Sequence, residues 1–273
     1  MLLTRPARMP FYNALNPVFL ALGPLELRYY GLAYVIGFGL GYLFLLYLAR
    51  QRRFPLKRAV AADFVLWSVV GLMLGARLGY VLFYNLPYYL ANPLEIVAVW
   101  RGGMSFHGGL IGILVAGLIF CARRKLSWQG LADMVVIPAS LAMALVRLTN
   151  FINGELYGRL TTLPWAVKFA GVPGLRHPSQ LYEAGYDIAL FAILWTLKDR
   201  KAREGSLFWT FIALYGLFRF LTEFVRAPDP QLGFVLGPFT MGQLLTLPMA
   251  LAGFVVLGLR WLRSRLSQVS KLL

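Results

Sequence analysis

Long apolar segments alternate along the chain with short segments rich in arginine and lysine. A helix that spans a bilayer needs about 20 mostly apolar residues, and residues 29–49 contain no charged side chain. Further apolar segments approach this length, although charges interrupt several of them. The pattern predicts seven helices, at 29–49, about 64–84, 107–121, from 131 to beyond 147, about 181–197, about 206–225 and within 230–259.

Composition narrows the class of protein. Of the 273 residues, 59% are hydrophobic and 14% are charged, with a mean hydropathy of +0.66, whereas soluble domains contain about 45–50% apolar and 25% charged residues. The polar side chains are too few to cover a water-soluble globule, and disorder requires the opposite composition. We therefore predict an all-α polytopic membrane protein with about seven transmembrane helices. We expect one domain over residues 1–273, with extracytoplasmic loops at about 85–106, 153–178 and 227–238.

The basic residues indicate an orientation. The chain has 27 Lys and Arg against 11 Asp and Glu, a net charge of +16. Because the basic residues stand between apolar segments instead of covering a polar face, they favour a lipid bilayer over nucleic acid as the partner. Sixteen of them follow the odd-numbered helices and eight lie on the other side. Since cytoplasmic flanks collect Lys and Arg, we predict an outer N-terminus and a cytoplasmic C-terminus, although Arg5 and Arg8 argue weakly against this.

Cysteine and histidine are scarce. The chain contains one cysteine, Cys121, and two histidines, His107 and His177. An internal disulfide and a Cys- or His-rich metal site are therefore excluded. No nucleotide-binding or metal-binding motif is present either, so we expect no cofactor.

Three arginines lie inside apolar segments: Arg77, Arg147 and Arg219. A charge at the centre of a spanning helix is costly, about 2.5–3.5 kcal/mol on insertion scales, and such residues usually face a cavity or a partner. The predicted orientation puts all three in the outer leaflet, at the level of Tyr30 and His107. The simpler interpretation is a structural Arg219–Glu223 ion pair, since the two are four residues apart, together with an interfacial belt of tyrosines.

Glycines recur every fourth residue in three of the predicted helices. Small residues at this spacing let helix backbones approach closely in lipid. We therefore expect close helix packing at Gly37 and Gly41, at Gly71, Gly75 and Gly79, and at Gly108 and Gly112.

Seven segments, in order between residues 28 and 243, carry distinctive motifs. They are RYYG (28–31), RLGYVLFYN (77–85), GGMSFHGGLIG (102–112), NFINGELYGR (150–159), RHPSQLYE (176–183), YGLFRF (215–220) with Glu223, and MGQ (241–243). Together these motifs resemble those of the prolipoprotein diacylglyceryl transferase family.

The resemblance implies an activity and a location. A member of this family is a transferase of the bacterial plasma (inner) membrane. It moves the diacylglyceryl group of phosphatidylglycerol to the lipobox cysteine of a prolipoprotein, forming a thioether and releasing glycerol phosphate. This is the first step of lipoprotein maturation. The predicted depth of the arginines puts the active site toward the extracytoplasmic leaflet.

Roles for individual residues follow from this chemistry as hypotheses. Arginines suit phosphate because their donors are forked and charged, so Arg147 and Arg219 are expected to clamp it. His107 is the candidate general base, since its unperturbed pKa is near neutrality, whereas His177 has a structural role at a helix start. The predicted catalytic residues are His107, Arg147, Arg219, Glu155, Glu223 and Tyr30, with the two glutamates holding the guanidiniums. The predicted phosphatidylglycerol-binding residues are Arg147, Asn150, Arg219, Tyr215, Arg77, Tyr80 and Gly158.

A lipid or anion transporter is the main alternative, because the same arginine cavity would suit it. A transporter would continue its polar residues to the inner face. The inner halves of the first, third and seventh helices carry little beyond apolar and aromatic side chains, which favours a site open to one side. A second alternative, a membrane subunit without enzymatic activity, has no use for three arginines at one depth.

Overall fold

The computed structural model describes residues 10–200, 203–228 and 233–269. This part of the chain is mostly helical. Its eight α-helices are α1 (Tyr29–Gln51), α2 (Arg58–Tyr84), α3 (Leu86–Ala91), α4 (Phe106–Arg124), α5 (Trp128–Ile152), α6 (Ser179–Leu197), α7 (Ser206–Thr222) and α8 (Met241–Val269). Two 3-10 turns, Pro93–Val97 and Val99–Arg101, connect α3 to the segment before α4.

Each of the seven predicted helices corresponds to a helix of the structure, and the short α3 is additional. Four are long and apolar enough to cross a membrane: Tyr29–Gln51, Arg58–Tyr84, Trp128–Ile152 and Met241–Ser264. The apolar α7 has 17 residues and is shorter than a usual crossing. A multi-pass membrane protein follows from these helices, while seven crossings and the orientation of the termini stay predictions.

Short strands correct the all-α prediction. In the described part of the chain, β1 (Phe11–Asn13) pairs in parallel with β4 (Val167–Phe169). Two antiparallel pairs join β2 (Val18–Leu22) to β3 (Leu25–Arg28) and β5 (Phe234–Leu236) to β6 (Phe239–Thr240). Strands of two to five residues are too short for the alternation of apolar and polar positions that marks a strand, so the sequence pattern does not reveal them.

The helices and strands group into two compact units. One contains the described residues up to Leu40 and those from Val135 onward, and the other is Gly41–Met134. The expectation of a single domain stays a prediction.

Glycines produce close helix packing within each unit. In the second unit, a Cβ built on Gly75 would lie 2.3 Å from the Gly108 carbonyl oxygen and 2.7 Å from Gly112 Cα. In the first unit, a Cβ on Gly216 of α7 would lie 2.7 Å from the backbone nitrogen of Ala250 in α8. The expected packing of α2 on α4 is therefore observed. A Cβ on Gly41 would have nothing within 4 Å, so the expectation of close packing is wrong there.

Candidate active site

Three arginines of the described chain surround one buried carboxylate, Glu183, in the first turns of α6. Arg147 of α5 reaches its Oε2 through Nε at 2.7 Å, Arg219 of α7 reaches its Oε1 through Nη1 at 3.5 Å, and Arg226 reaches Oε1 through Nη1 at 2.9 Å. Glu183 is fully buried and the three arginine side chains are mostly buried. Because a buried charge is costly unless it is paired, this mutual pairing explains how the cluster persists inside the helices.

A second carboxylate, Glu223, completes the cluster. It pairs with Arg219 one helical turn earlier, as the spacing predicted, and its Oε2 lies 3.9 Å from Arg226 Nε. Thr240 donates its hydroxyl hydrogen to Glu223 Oε1 at 2.9 Å. Gly242, in the first turn of α8, packs against the same carboxylate, since a Cβ there would lie 2.7 Å from Oε1. Glu223 is thereby held from two sides and orients Arg219.

Glu155 does not hold a guanidinium as expected. Among the described residues, no arginine lies within ion-pair distance of it. Its Oε1 instead accepts hydrogen bonds from Asn150 Nδ2 at 2.8 Å and Asn153 Nδ2 at 3.1 Å. Asn150 Oδ1 in turn accepts a long hydrogen bond of 3.4 Å from Arg147 Nη1. Glu155 thus orients an amide that contacts Arg147, and the carboxylate on Arg147 is Glu183.

Tyrosines adjoin the cluster on two sides. The ring of Tyr215 meets that of Tyr186 edge to face at 6.1 Å, and both phenols interact electrostatically with Arg219. Tyr30 at the start of α1 lies close enough to Arg147 and Glu155 for their charges to act on its hydroxyl, and this hydroxyl is 3.3 Å from that of Tyr34. The structure therefore brings Tyr30 near Arg147 and Tyr215 near Arg219, and their role as neutral donors stays a prediction.

Gly158 lies where the segment after α5 crosses the segment after α7. Its N–H donates to the His177 carbonyl at 2.9 Å, and it forms an isolated antiparallel bridge with Arg226. A Cβ on Gly158 would lie 2.5 Å from both His177 Cβ and the Val225 carbonyl oxygen. Only glycine fits, so this residue fixes the approach of Arg226 to the cluster. Burial lowers the pKa of His177 below its usual value of 6.5, which suits a neutral structural histidine.

The second unit contains the other predicted site residues. Arg77 is buried, and its guanidinium is surrounded by backbone carbonyls of residues 95–103. Tyr80 stacks on Tyr84 at 5.2 Å and meets Tyr89 edge to face at 6.4 Å. His107 lies in the first turn of α4, after the N-cap Ser105, and its side chain lies outside the part that the structure describes.

Sequence reasoning misses three residues of the cluster: Glu183, Arg226 and Asp187. Glu183 ends the motif at 176–183, but the motif alone assigns it no role. In the sequence, Arg226 is counted among the basic residues of the loops, although it follows Glu223 by three residues, a spacing that puts two residues on one face of a helix. Asp187 is fully buried, and neither carboxylate oxygen has a hydrogen-bond partner among the described residues. Spacing along α6 is an available signal, since Asp187 follows Glu183 by one turn.

The cluster offers charged and neutral hydrogen-bond donors to a ligand. In the described part of the chain, no group of three His, Cys, Asp or Glu side chains is arranged to hold a metal ion. Three guanidiniums, with asparagine and tyrosine donors beside them, suit an anion with several oxygens, and phosphate is such an anion.

Comparison with known proteins agrees with this chemistry. A sequence model of the prolipoprotein diacylglyceryl transferase family matches residues 17–259. A phosphatidylglycerol–prolipoprotein diacylglyceryl transferase of Geobacter sulfurreducens is 51% identical over 244 residues, covering 89% of this chain and 94% of the relative. Proteins of the same name from Rhodospirillum rubrum and Rhodopseudomonas palustris are 46% and 43% identical, over 91% and 94% of this chain and 93% and 95% of their own lengths. These relatives are named as transferases, which gives the transporter alternative no support.

Proposed function

Because the chain belongs to the prolipoprotein diacylglyceryl transferase family, we propose that its arginine cluster transfers the diacylglyceryl group of phosphatidylglycerol to a prolipoprotein. The acceptor is the thiol of the lipobox cysteine. The observation that carries the proposal is the convergence of Arg147, Arg219 and Arg226 on buried carboxylates within the helices of a membrane protein. Such a cluster suits the phosphate of a lipid headgroup.

The enzyme works in the bacterial inner membrane. It forms one polytopic domain that crosses the bilayer about seven times, with the N-terminus outside and the C-terminus in the cytoplasm. In this orientation the cluster faces the extracytoplasmic leaflet, where the lipid headgroup and the prolipoprotein meet. The distribution of Lys and Arg over the loops supports this arrangement.

The reaction is a displacement at a glycerol carbon. The cysteine sulfur attacks as thiolate, since the thiolate is the nucleophilic form. A carbon–sulfur bond forms while the bond from that carbon to the phosphate oxygen breaks. The phosphate oxygen keeps the electron pair and leaves as glycerol phosphate, and the thiol proton passes to a base. The protein must therefore take up a proton and stabilise the charge that grows on the leaving phosphate.

Arg147 and Arg219 clamp that phosphate. Arg147 contacts Glu183 through Nε and Asn150 through Nη1, and a guanidinium has five N–H donors. Among the described contacts of Arg147, N–H groups at the Nη end therefore stay available for phosphate oxygens. Asn150, Tyr215 and Tyr30 add neutral donors beside it.

The remaining groups prepare the nucleophile and shape the site. His107 accepts the thiol proton, because imidazole is suited to general-base catalysis near neutral pH. Glu155 and Glu223 orient Asn150 and Arg219 respectively. Gly158 fixes the crossing segments at the cluster, and Tyr80 lines the lipid site.

Transfer of labelled lipid from phosphatidylglycerol to a lipobox peptide, with purified protein in nanodiscs, tests the proposal. Arg147→Ala and Arg219→Ala are expected to lose transfer, since removal of a donor that stabilises transition-state charge costs about 100- to 1,000-fold. Arg124→Ala removes an exposed arginine paired with Asp63 and serves as the matched control. Wild-type turnover by Arg147→Ala contradicts the clamp, and absence of transfer by the wild-type protein contradicts the function.

A further inference from the structure

The side chain of Arg77 is enclosed by the backbone of the segment that precedes α4. Each of its nitrogens donates to a carbonyl oxygen of residues 95–103. Nε reaches Ile96 at 2.8 Å, Nη1 reaches Gly102 at 2.6 Å and Gly103 at 3.0 Å, and Nη2 reaches Glu95 at 2.6 Å and Ala98 at 3.3 Å. Since a guanidinium has five N–H donors, these contacts use them all, and none remains for a phosphate.

The same segment presents apolar side chains outward. The exposed fractions of Leu90, Leu94, Val97 and Trp100 are 73%, 86%, 69% and 78%. A water-exposed loop has the opposite arrangement, with polar side chains outside and carbonyls free to bind water. Residues 86–104, which comprise α3, the two 3-10 turns and the residues that join them to α4, are together named the loop. The backbone carbonyls of residues 95–103 face Arg77, and the apolar side chains of the loop face the surroundings.

We infer that residues 86–104 form a lipid-embedded loop and that Arg77 serves its backbone instead of a substrate phosphate. Backbone that is neither helix nor strand lies at membrane depth only where the protein satisfies its polar groups. Arg77 donates hydrogen bonds to these backbone carbonyls from α2, a helix that is long and apolar enough to cross the membrane. The loop continues α2 directly, because α2 ends at Tyr84 and α3 begins at Leu86.

Aromatic residues fit the same inference. The ring of buried Tyr89 covers the Arg77 guanidinium at 5.1 Å, which shields the charge from lipid. Exposed Tyr88 and Trp100 lie on the outside of the loop, and these residue types are enriched at the membrane interface. The occupant of this surface is therefore the interfacial layer of the bilayer, with acyl chains against Leu94 and Val97.

The loop also connects Arg77 to the start of α4. Gly102 and Gly103 have φ angles of +81° and +74°, and a Cβ on Gly103 would lie 2.9 Å from Arg77 Nη1. Two residues later, the Ser105 N–H donates to the Ala76 carbonyl at 2.8 Å. Arg77 is thus a positioning residue that fixes the turn leading into the helix of His107.

Spin labels test the location of the loop. The protein without its single cysteine (Cys121→Ala) receives one cysteine at a time, as Leu94→Cys or Trp100→Cys, and is reconstituted into phosphatidylglycerol-containing vesicles. Collisions of each label with oxygen, which enriches in lipid, are compared with collisions with a water-soluble nickel chelate. Labels at Leu74, on an exposed face of α2, and at Thr162, in an exposed loop, provide the lipid and water references. We expect the Leu94 label to match Leu74 and the Trp100 label, at the interface, to lie between the two references. Labels that match Thr162, or that are shielded from both reagents by another protein surface, overturn the inference.

A second comparison tests Arg77 itself. Arg77→Lys keeps the charge but concentrates three donors at one point, so it cannot serve carbonyls spread over residues 95–103. We expect the Trp100 label to gain mobility and nickel accessibility, whereas Arg124→Lys leaves it unchanged. If Arg77→Lys does not fold, Gly103→Ala is used instead, because the added methyl displaces the Arg77 guanidinium. The spin label at Trp100→Cys then reports the mobility of the loop. An unchanged label in the folded variant refutes the role of Arg77.

Discussion

Replacing Glu183 by glutamine is the sharpest test of how the cluster is organised. The substitution keeps the size of the side chain and removes one negative charge from among Arg147, Arg219 and Arg226. The glutamine amide can accept through only one oxygen, whereas Glu183 uses Oε2 for Arg147 and Oε1 for the other two arginines. Arg219 and Arg226 then keep Glu223 as their ion-pair partner, whereas Arg147 loses its carboxylate partner, and the three guanidiniums are expected to move apart.

The magnitude follows from the burial of the pair. Breaking a buried ion pair by removing one partner costs about 3–5 kcal/mol, because it leaves an uncompensated buried charge. Because glutamine retains one acceptor, we take the lower end of this range as the expected loss of stability. Displacing donors that stabilise transition-state charge costs about 100- to 1,000-fold in rate. The transfer rate of the folded variant is therefore expected to fall about 100-fold.

The measurement is single-turnover transfer of labelled lipid to a lipobox peptide, with thermal unfolding of each variant followed in the same nanodiscs. Glu26→Gln is the matched control. It makes the same substitution in an exposed ion pair outside the cluster, where Glu26 Oε2 lies 2.9 Å from Arg28 Nη2. Exposed ion pairs contribute about 0–1 kcal/mol, so we expect Glu26→Gln to retain transfer. A Glu183→Gln rate within about threefold of wild type, equivalent to about 0.7 kcal/mol, refutes the reasoning.

Two further predictions concern the crossing of backbone segments at Gly158 and the general base His107. Gly158→Ala forces a methyl against a carbonyl oxygen at 2.5 Å and should destabilise the protein by about 1–3 kcal/mol, visible as a lower unfolding midpoint. Gly185→Ala, in open space within α6, should instead leave the midpoint unchanged or raise it. His107→Gln should remove the acidic limb of the pH–rate profile. His177→Gln should keep this limb, because the His177 ring contacts the Tyr182 hydroxyl through Nδ1 at 3.2 Å and has a structural role. Since burial lowers the pKa of His177, protonation of the wild-type ring should cost stability as the pH falls below about 6.5. If His177→Gln loses the acidic limb and His107→Gln keeps it, the assignment of His107 as the general base is contradicted.

Local spacing explains which parts of the cluster the sequence could predict. Arg219 and Glu223 are one turn apart on a single helix, and they pair as that spacing requires. Glu183 and Arg147 are 36 residues apart on different helices, and their contact depends on how α5 and α6 pack. No rule based on neighbours along the chain can identify such a pair.

The wrong role for Glu155 has a local cause. It follows the last residue of α5, Ile152, by three residues and lies outside the helix. The chain turns at Gly154 and Leu156, whose φ angles are +68° and +58°. This turn directs the carboxylate to Asn150 and Asn153. A glycine after a helix predicts such a turn, but it does not predict which side chain the carboxylate will reach.

Arg77 illustrates a different limit. The sequence identifies a charged residue in an apolar helix, and the general rule for such a residue is a functional site. The rule does not distinguish a guanidinium that binds a ligand from one that binds backbone carbonyls. The glycines at 102 and 103 are a partial signal, since their positive φ angles belong to a tight turn that brings carbonyls toward one donor.

The geometry of the ion pairs separates the arginines by task. Arg147 meets Glu183 through Nε, so the far end of its guanidinium points away from the carboxylate. Arg226 meets Glu183 through Nη1 and approaches Glu223 through Nε, so its guanidinium bridges the two carboxylates. Fixed donors stabilise growing charge better than mobile ones, because they need no reorganisation during the reaction. Arg147 contacts one carboxylate and the Asn150 amide and keeps further N–H donors for a leaving phosphate, while Arg226 holds the two carboxylates in place.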